Sequence, residues 1–344
     1  MTNPKLAKTL RGTLSLAVAL ALVVWVVRSS GIEPLEVLAS VDRVYLLGAF
    51  LCYGVGVGFA SWRWFLLLNH IRVEMPFLTV LRLALIGLFF NLLVPGGVGG
   101  DLIKAVYLRR ESGDRYPQAL LTVLLDRLVG LAGLLAIAIL AVVLNASMIA
   151  RGPVELQGLL VLVGFTSVGG LLGGLLFFFW PWISRRGGQW TEGVRRRLPL
   201  ALQGVLRKVA EALDLLRASP LKLTALFFLS MLGHLTSTVG MYLVAKSVSF
   251  GAFQLPFAPC LLATQLANLV SAVPLTPGGL GGRDLVLKLL LLAAGAPEDL
   301  SGAIPMLVTV LLICWSLVGG LALLWERGAG VVAGAHSSDS NESR

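Results

Sequence analysis

Uninterrupted apolar runs, many of them about 20 residues long, constrain this chain most, since a helix of that length crosses the hydrocarbon core of a bilayer. Of the 344 residues 57% are hydrophobic and 13% are charged, against about 45–50% and about 25% in globular domains. The alternating strands of an outer-membrane barrel are absent. The sequence therefore predicts an all-α polytopic membrane protein, with apolar windows near residues 12–28, 45–68, 77–94, 118–145, 154–180, 221–245, 256–276, 284–295 and 303–326.

The net charge of +10 is typical of a membrane protein with Lys and Arg on its cytoplasmic side, where they set topology and meet anionic lipid. We therefore expect membrane lipids with anionic headgroups as partners, and no nucleic acid. The three cysteines stand singly inside apolar segments, which indicates packing residues. We expect no metal ion and no cofactor.

Nine full crossings would conflict with this charge bias. The basic N-terminus favours a cytoplasmic start, and nine crossings would then place Lys104, Arg109, Arg110 and Arg115 outside. The conflict disappears if the chain turns back within the membrane at the Pro-Gly-Gly sequence of residues 95–97. We therefore predict about six full spans plus two re-entrant Pro-Gly-Gly hairpins, in an inner (cytoplasmic) membrane with both termini cytoplasmic.

This topology divides the chain into two membrane repeats joined by a basic loop. The first repeat occupies residues 1–180, with a hairpin at 77–110, a third span at 118–145, and a span at 154–180 that opens the second repeat. The loop at 181–220 has apolar residues at helical spacing, which fits an amphipathic helix on the inner leaflet or a linker helix with a solvated basic face. The rest of the second repeat occupies 221–326, with a hairpin at 256–295, and a disordered tail is expected at 327–344.

Two sequence motifs recur in the same order. PGGVGGD at residues 95–101 returns as PGGLGGRD at residues 277–284, and TVLL follows at 122–125 and again at 309–312. Each half would cross the membrane an odd number of times, so the second half would be inverted relative to the first. Inverted repeats with broken helices near the midplane form the substrate sites of many secondary transporters.

The glycines of both motifs and the nearby intramembrane charges are the candidate substrate-binding residues. Glycines permit close backbone approach, and the first N–H groups of the following helix suit a phosphate. Charges inside a bilayer are costly and usually mark a pathway or a pair. Two alternatives remain open: the glycines only let helices pack closely, and four of the charges neutralise one another across the repeat interface (Asp101, Arg127, Arg283 and Asp284). The candidates are Gly96, Gly97, Gly99, Gly100, Asp101, Lys104, Asp126, Arg127, Gly278, Gly279, Gly281, Gly282, Arg283 and Asp284.

Other features favour a role without catalysis. There is no HExxH, GxSxG or paired Asp-rich motif, so we expect that the protein is not an enzyme.

Trp62 and Trp64 fall at a proposed cytoplasmic helix end and are interpreted as interface anchors.

The stretch NLLVPGGVGGDLIKAVYL, followed by LLDRLVGL and later PLTPGGLGGRD, resembles the flippase-like family, the transmembrane region of lysylphosphatidylglycerol synthases. The resemblance runs from about residue 10 to 326. In those synthases a soluble aminoacyl-transferase domain follows, and the membrane region is held to move the modified lipid between leaflets. The resemblance implies lipid translocation by residues 96–104 and 278–284, in a stand-alone form without aminoacyl transfer.

Two functions follow from these observations. The first is a flippase-type transporter that moves an anionic or polyprenyl-phosphate-linked lipid between leaflets. The alternative is a non-transporting membrane subunit that scaffolds a glycosyltransferase or another lipid-modifying enzyme through the basic loop at 181–220.

Overall fold

The computed structural model describes residues 41–94, 98–113, 116–152, 154–186, 219–248, 254–272 and 281–339. Within these ranges every regular element is helical, which confirms the all-α class. The elements are α1 (Arg43–His70), α2 (Phe77–Leu93), α3 (Gly99–Glu111), α4 (Tyr116–Leu144), α5 (Ala146–Arg151), α6 (Val154–Arg186), α7 (Pro220–Val248), α8 (Phe257–Ala272), α9 (Gly282–Ala293) and α10 (Glu298–Asp339).

Four segments of the described chain are long and apolar enough to cross a membrane: Arg43–His70, Tyr116–Leu144, Leu221–Val248 and Glu298–Leu324. Shorter apolar helices lie at Phe77–Leu92, Val163–Gly174 and Phe257–Ala272. Each overlaps an apolar window of the sequence, because hydropathy and length together determine which segments can be buried in lipid. The window at 12–28 lies outside the described residues.

Helices α1–α4 and α7–α10 pack in matching arrangements. The long helices α1 and α7 lie along each other, with the backbone of Gly240 against the ring of Tyr53. The short helices α2 and α3 pack together, as do α8 and α9. In addition α2 packs on α10 and α8 packs on α4, so each short pair contacts the last helix of the other set.

Glycine makes the α2–α10 contact possible. The backbone of Gly319 lies against the Leu85 carbonyl so closely that an added Cβ would overlap it, and Gly320 faces the ring of Phe89. Small residues let helices approach in this way throughout membrane proteins. This contact ties the last helix of one set to the short pair of the other.

The buried apolar residues of the described chain form a main core and three smaller clusters, one of them beside α3. The main cluster joins α1, α4, α7, α8, α9 and α10. The cluster beside α3 surrounds Trp64, Leu68, Leu83 and Leu108 on α1, α2 and α3. This second cluster includes Trp64, whose ring contacts the charged Lys104 of α3.

Two segments stay predictions: the disordered tail and the amphipathic helix of the basic loop. Helix α10 is described to Asp339, and the disordered tail at 327–344 stays a prediction. The basic loop is described only to Arg186, at the end of α6, so the predicted amphipathic helix at 198–216 lies outside the described residues.

Candidate functional site

Five charged side chains meet where α1, α3 and α4 pack together, and we call them the charge cluster: Arg63, Asp101, Lys104, Asp126 and Arg127. Arg63 Nε donates to Asp126 Oδ1 at 2.8 Å, and these side chains are only 10% and 11% exposed. Arg127 Nε donates to Asp101 Oδ2 at 2.7 Å, with 47% and 28% exposure. Successive residues of a helix point about 100° apart, so neighbouring Asp126 and Arg127 serve a buried pair and an exposed pair.

Lys104 is the remaining cation of the cluster. Its Nζ lies 4.4 Å from the centroid of the Trp64 ring, a cation–π distance. None of the ion pairs within the described part of the chain includes Lys104. The described charges that act on its ammonium group are those of Asp126, Asp101, Arg63 and Arg127. Lys104 is half-buried. The two carboxylates beside it are each bound to an arginine.

The tryptophan that supports Lys104 is held in a fixed orientation. Trp64 is fully buried, and its Nε1 donates to Thr122 Oγ1 at 3.1 Å. Thr122 in turn donates to the carbonyl of Ala119 at 2.6 Å, so its hydroxyl is aligned to accept from the indole. The first TVLL motif begins at Thr122. The interpretation of Trp64 as an interface anchor is wrong, because its ring is enclosed by protein.

The cluster carries a net positive charge. Its three cations and two carboxylates sum to +1. Each carboxylate is bound by an arginine, so the excess charge resides on Lys104. A charge without a counter-ion is unfavourable at membrane depth. The arrangement can therefore receive an anion next to Lys104.

The glycines of the first motif that the structure describes serve close packing. A Cβ at Gly99 would overlap the carbonyl oxygen of Phe90, and a Cβ at Gly100 would lie 2.8 Å from the carbonyl oxygen of Gly87. The Gly100 N–H donates to Asn91 Oδ1 at 2.7 Å. This N–H is therefore already occupied, contrary to the expectation that it is available to a phosphate. Gly96 and Gly97 lie outside the described residues.

The second motif contributes a compact and neutral group. Arg283 donates from Nε and Nη2 to Asp284 Oδ1 at 3.0 and 2.7 Å. Thr309, which begins the second TVLL motif, donates to Asp284 Oδ2 at 2.9 Å and also contacts Arg283 Nη2. Arg283 is 5% exposed. The charges of this group are thus satisfied internally.

The described glycines of the second motif have different roles. Gly281 has φ +84°, a left-handed conformation that favours glycine, immediately before α9. A Cβ at Gly282 would lie 3.3 Å from Val270 of α8, so this glycine again permits close packing. Gly278 and Gly279 lie outside the described residues.

Among the described residues, the ion pairs formed by Asp101, Arg127, Arg283 and Asp284 join partners in the same half of the chain. Asp101 binds Arg127, and Arg283 binds Asp284. The Arg283–Asp284 group is close enough to interact electrostatically with Tyr53 of α1, which precedes Arg63 by ten residues. At 1.5 Å per residue, Tyr53 and Arg63 lie about 15 Å apart along α1, so the two groups act near different turns of that helix.

Sequence reasoning missed Arg63 as a site residue. The available signal was a single arginine inside the apolar window at 45–68, where an unpaired charge would be costly. Its partner Asp126 was identified, but the 63-residue separation hid the pairing.

These features define the class: a multi-pass helical membrane protein with a net-positive polar cluster among its helices. The chain belongs to the family described as the lysylphosphatidylglycerol synthase TM region, which it matches over residues 12–325. This match confirms the resemblance. The chain is also similar to the UPF0104 membrane protein PH1989 of Pyrococcus horikoshii, with 24% identity over 316 residues that cover 87% of this chain and 92% of that protein.

Proposed function

We propose that this protein moves an anionic or polyprenyl-phosphate-linked lipid between the two leaflets of an inner membrane, without catalysing a chemical reaction. The observation that carries this proposal is Lys104, a half-buried cation that lies on an aromatic ring while the neighbouring carboxylates are bound to arginines. A lipid phosphate beside Lys104 would supply the missing negative charge.

Access to the cluster supports the proposal. A translocated headgroup needs a polar surface that it can reach from the membrane, because passage of a bare charge through hydrocarbon costs about 2.5–3.5 kcal/mol or more. The neighbouring pair of Arg127 and Asp101 has side chains that are 47% and 28% exposed. The cluster is therefore neither fully paired nor sealed from its surroundings.

The proposed topology has six full spans and two re-entrant hairpins, formed by α2–α3 and by α8–α9, in an inverted repeat. The matching packing of the two sets of helices supports it. The two polar groups act near different turns of α1, close to Tyr53 and to Arg63, as expected if one hairpin faces each leaflet. In this proposal the charge cluster is the open site, and the internally paired Arg283 and Asp284 represent the closed one.

The test is leaflet exchange of labelled lipids in liposomes that contain the purified protein. We expect exchange of anionic lipid by the wild type and a strong reduction of it, to the rate of uncharged lipid, in Lys104→Gln. Lys288→Gln is the matched control, because it also removes one lysine charge but from an exposed ion pair with Glu298 at 3.6 Å. Negligible exchange by the wild type across a broad lipid panel would refute transport and favour the scaffold function.

A further inference from the structure

We propose that the charge cluster selects headgroups that carry a single negative charge, so that phosphodiester lipids are moved and phosphomonoester lipids are rejected. This inference rests on the proposed function and specifies its substrate class. It includes glycerophospholipids with one net negative charge and sugars linked to a lipid through one phosphate. It excludes lipids that end in a bare phosphate or carry a diphosphate.

The selection follows from the number of charges that the cluster already balances. Asp126 is bound by Arg63, and Asp101 is bound by Arg127, so each carboxylate has a cationic partner in the described structure. Lys104 contributes the one positive charge in excess. A phosphodiester brings one negative charge and makes the group neutral. A monoester brings about −1.5 to −2 near pH 7 and leaves a net negative charge among the helices.

The geometry gives the cluster little means of compensating a second charge. Arg63 cannot turn towards a ligand, because it is 8% exposed and its guanidinium lies against Gly130 of α4. The Nε of Arg127 is engaged by Asp101. Lys104 presents a compact ammonium group with three donors, which suits the oxygens of one phosphate, and the two described arginines near it are each bound to a carboxylate.

Liposome exchange can measure the selection with three lipids that share the same labelled acyl chains: phosphatidylethanolamine with no net charge, phosphatidylglycerol with one negative charge, and phosphatidic acid as the monoester. For the wild type we expect phosphatidylglycerol to exchange faster than phosphatidic acid by about tenfold to 100-fold. This is the ratio for leaving a partly exposed charge without a partner at membrane depth.

Variants that change the cluster charge in single steps make the test specific. Asp101→Asn raises the sum from +1 to +2 with almost no change in shape, and it should shift the preference towards phosphatidic acid. Lys104→Gln lowers the sum to zero and should abolish the preference for phosphatidylglycerol over phosphatidylethanolamine. The control is Asp299→Asn, which changes the protein charge by the same amount as Asp101→Asn at an exposed position in the first turn of α10. It should leave all ratios unchanged.

The outcomes separate this inference from the proposed function. If the wild type moves monoester and diester lipids equally, or if neither cluster variant changes the ratios, the charge selection is wrong while transport stands. If the wild type moves none of the three lipids, the proposed function itself fails. Elution and thermal unfolding of each variant verify that it is folded, and if Asp101→Asn fails this check the Lys104→Gln ratio decides alone.

Discussion

Removal of the Asp126 carboxylate is expected to lower the free energy of unfolding by about 3–5 kcal/mol, the usual cost of leaving one partner of a buried ion pair without the other. The pair meets the conditions for this cost: Arg63 Nε and Asp126 Oδ1 are 2.8 Å apart and their side chains are 10% and 11% exposed. Arg63 has little room to move away to water, since its guanidinium packs against Gly130: a Cβ added to that glycine would lie only 3.1 Å from Arg63 Nη2. Asp126→Ala also raises the net charge of the charge cluster from +1 to +2.

The double variant Arg63→Met with Asp126→Leu provides the decisive comparison. It removes both charges, restores the cluster sum to +1, and should recover stability to within about 1–2 kcal/mol of the wild type, because apolar replacements of a buried pair are often neutral. Unfolding by SDS in mixed micelles, followed by helical circular dichroism, measures all three proteins.

An exposed ion pair provides the comparison for the stability lost when a buried pair is broken. Lys288 and Glu298 are 3.6 Å apart with side chains 41% and 81% exposed, so Lys288→Ala should cost no more than about 1 kcal/mol. The reasoning is refuted if Asp126→Ala costs no more than Lys288→Ala. It is also refuted if the double variant is as unstable as the single one.

Two further predictions concern packing and the support of Lys104. Gly99→Ala should destabilise the protein by about 1–3 kcal/mol, because the added Cβ would overlap the Phe90 carbonyl. The control Gly58→Ala has open space around the added Cβ and should be neutral or slightly stabilising in the same SDS titration. Equal stabilities of the two variants would contradict this contact. Trp64→Leu should slow exchange of anionic lipid roughly 5- to 30-fold through loss of about 1–2 kcal/mol of cation–π attraction, while Trp64→Phe retains most of the activity in the same liposomes. An equal loss in both would show that the ring face does not support Lys104.

Helix positions could be predicted from the sequence because burial in lipid depends on local hydropathy. The window at 77–94 became α2 at Phe77–Leu93, and the window at 284–295 became α9 at Gly282–Ala293. The break between α2 and α3 was also readable, since four glycines and a proline interrupt an apolar run. In these cases a few adjacent residues contain the whole signal.

The partners within the site could not be predicted in the same way. The pairing of Arg63 with Asp126 depends on how α1 packs on α4, and the placement of Trp64 beneath Lys104 depends on α3 as well. Sequence spacing gives the face of a helix but not the neighbouring helix. The occupied N–H of Gly100 could not be foreseen for a related reason, since Asn91 becomes its acceptor only after α2 and α3 fold together.

The contact between Leu85 and Gly319 has a consequence for the order in which the protein is assembled. The two positions are 234 residues apart in the sequence, so at a synthesis rate of about 5–20 residues per second the first short pair waits roughly 12–47 s for the helix that covers it. During that interval the face of α2 that carries Leu85 and Phe89 lacks the helix that covers it in the folded protein. Because α10 packs on α1 and α2 as well as on α7 and α9, its insertion adds contacts to both sets of helices at the same time.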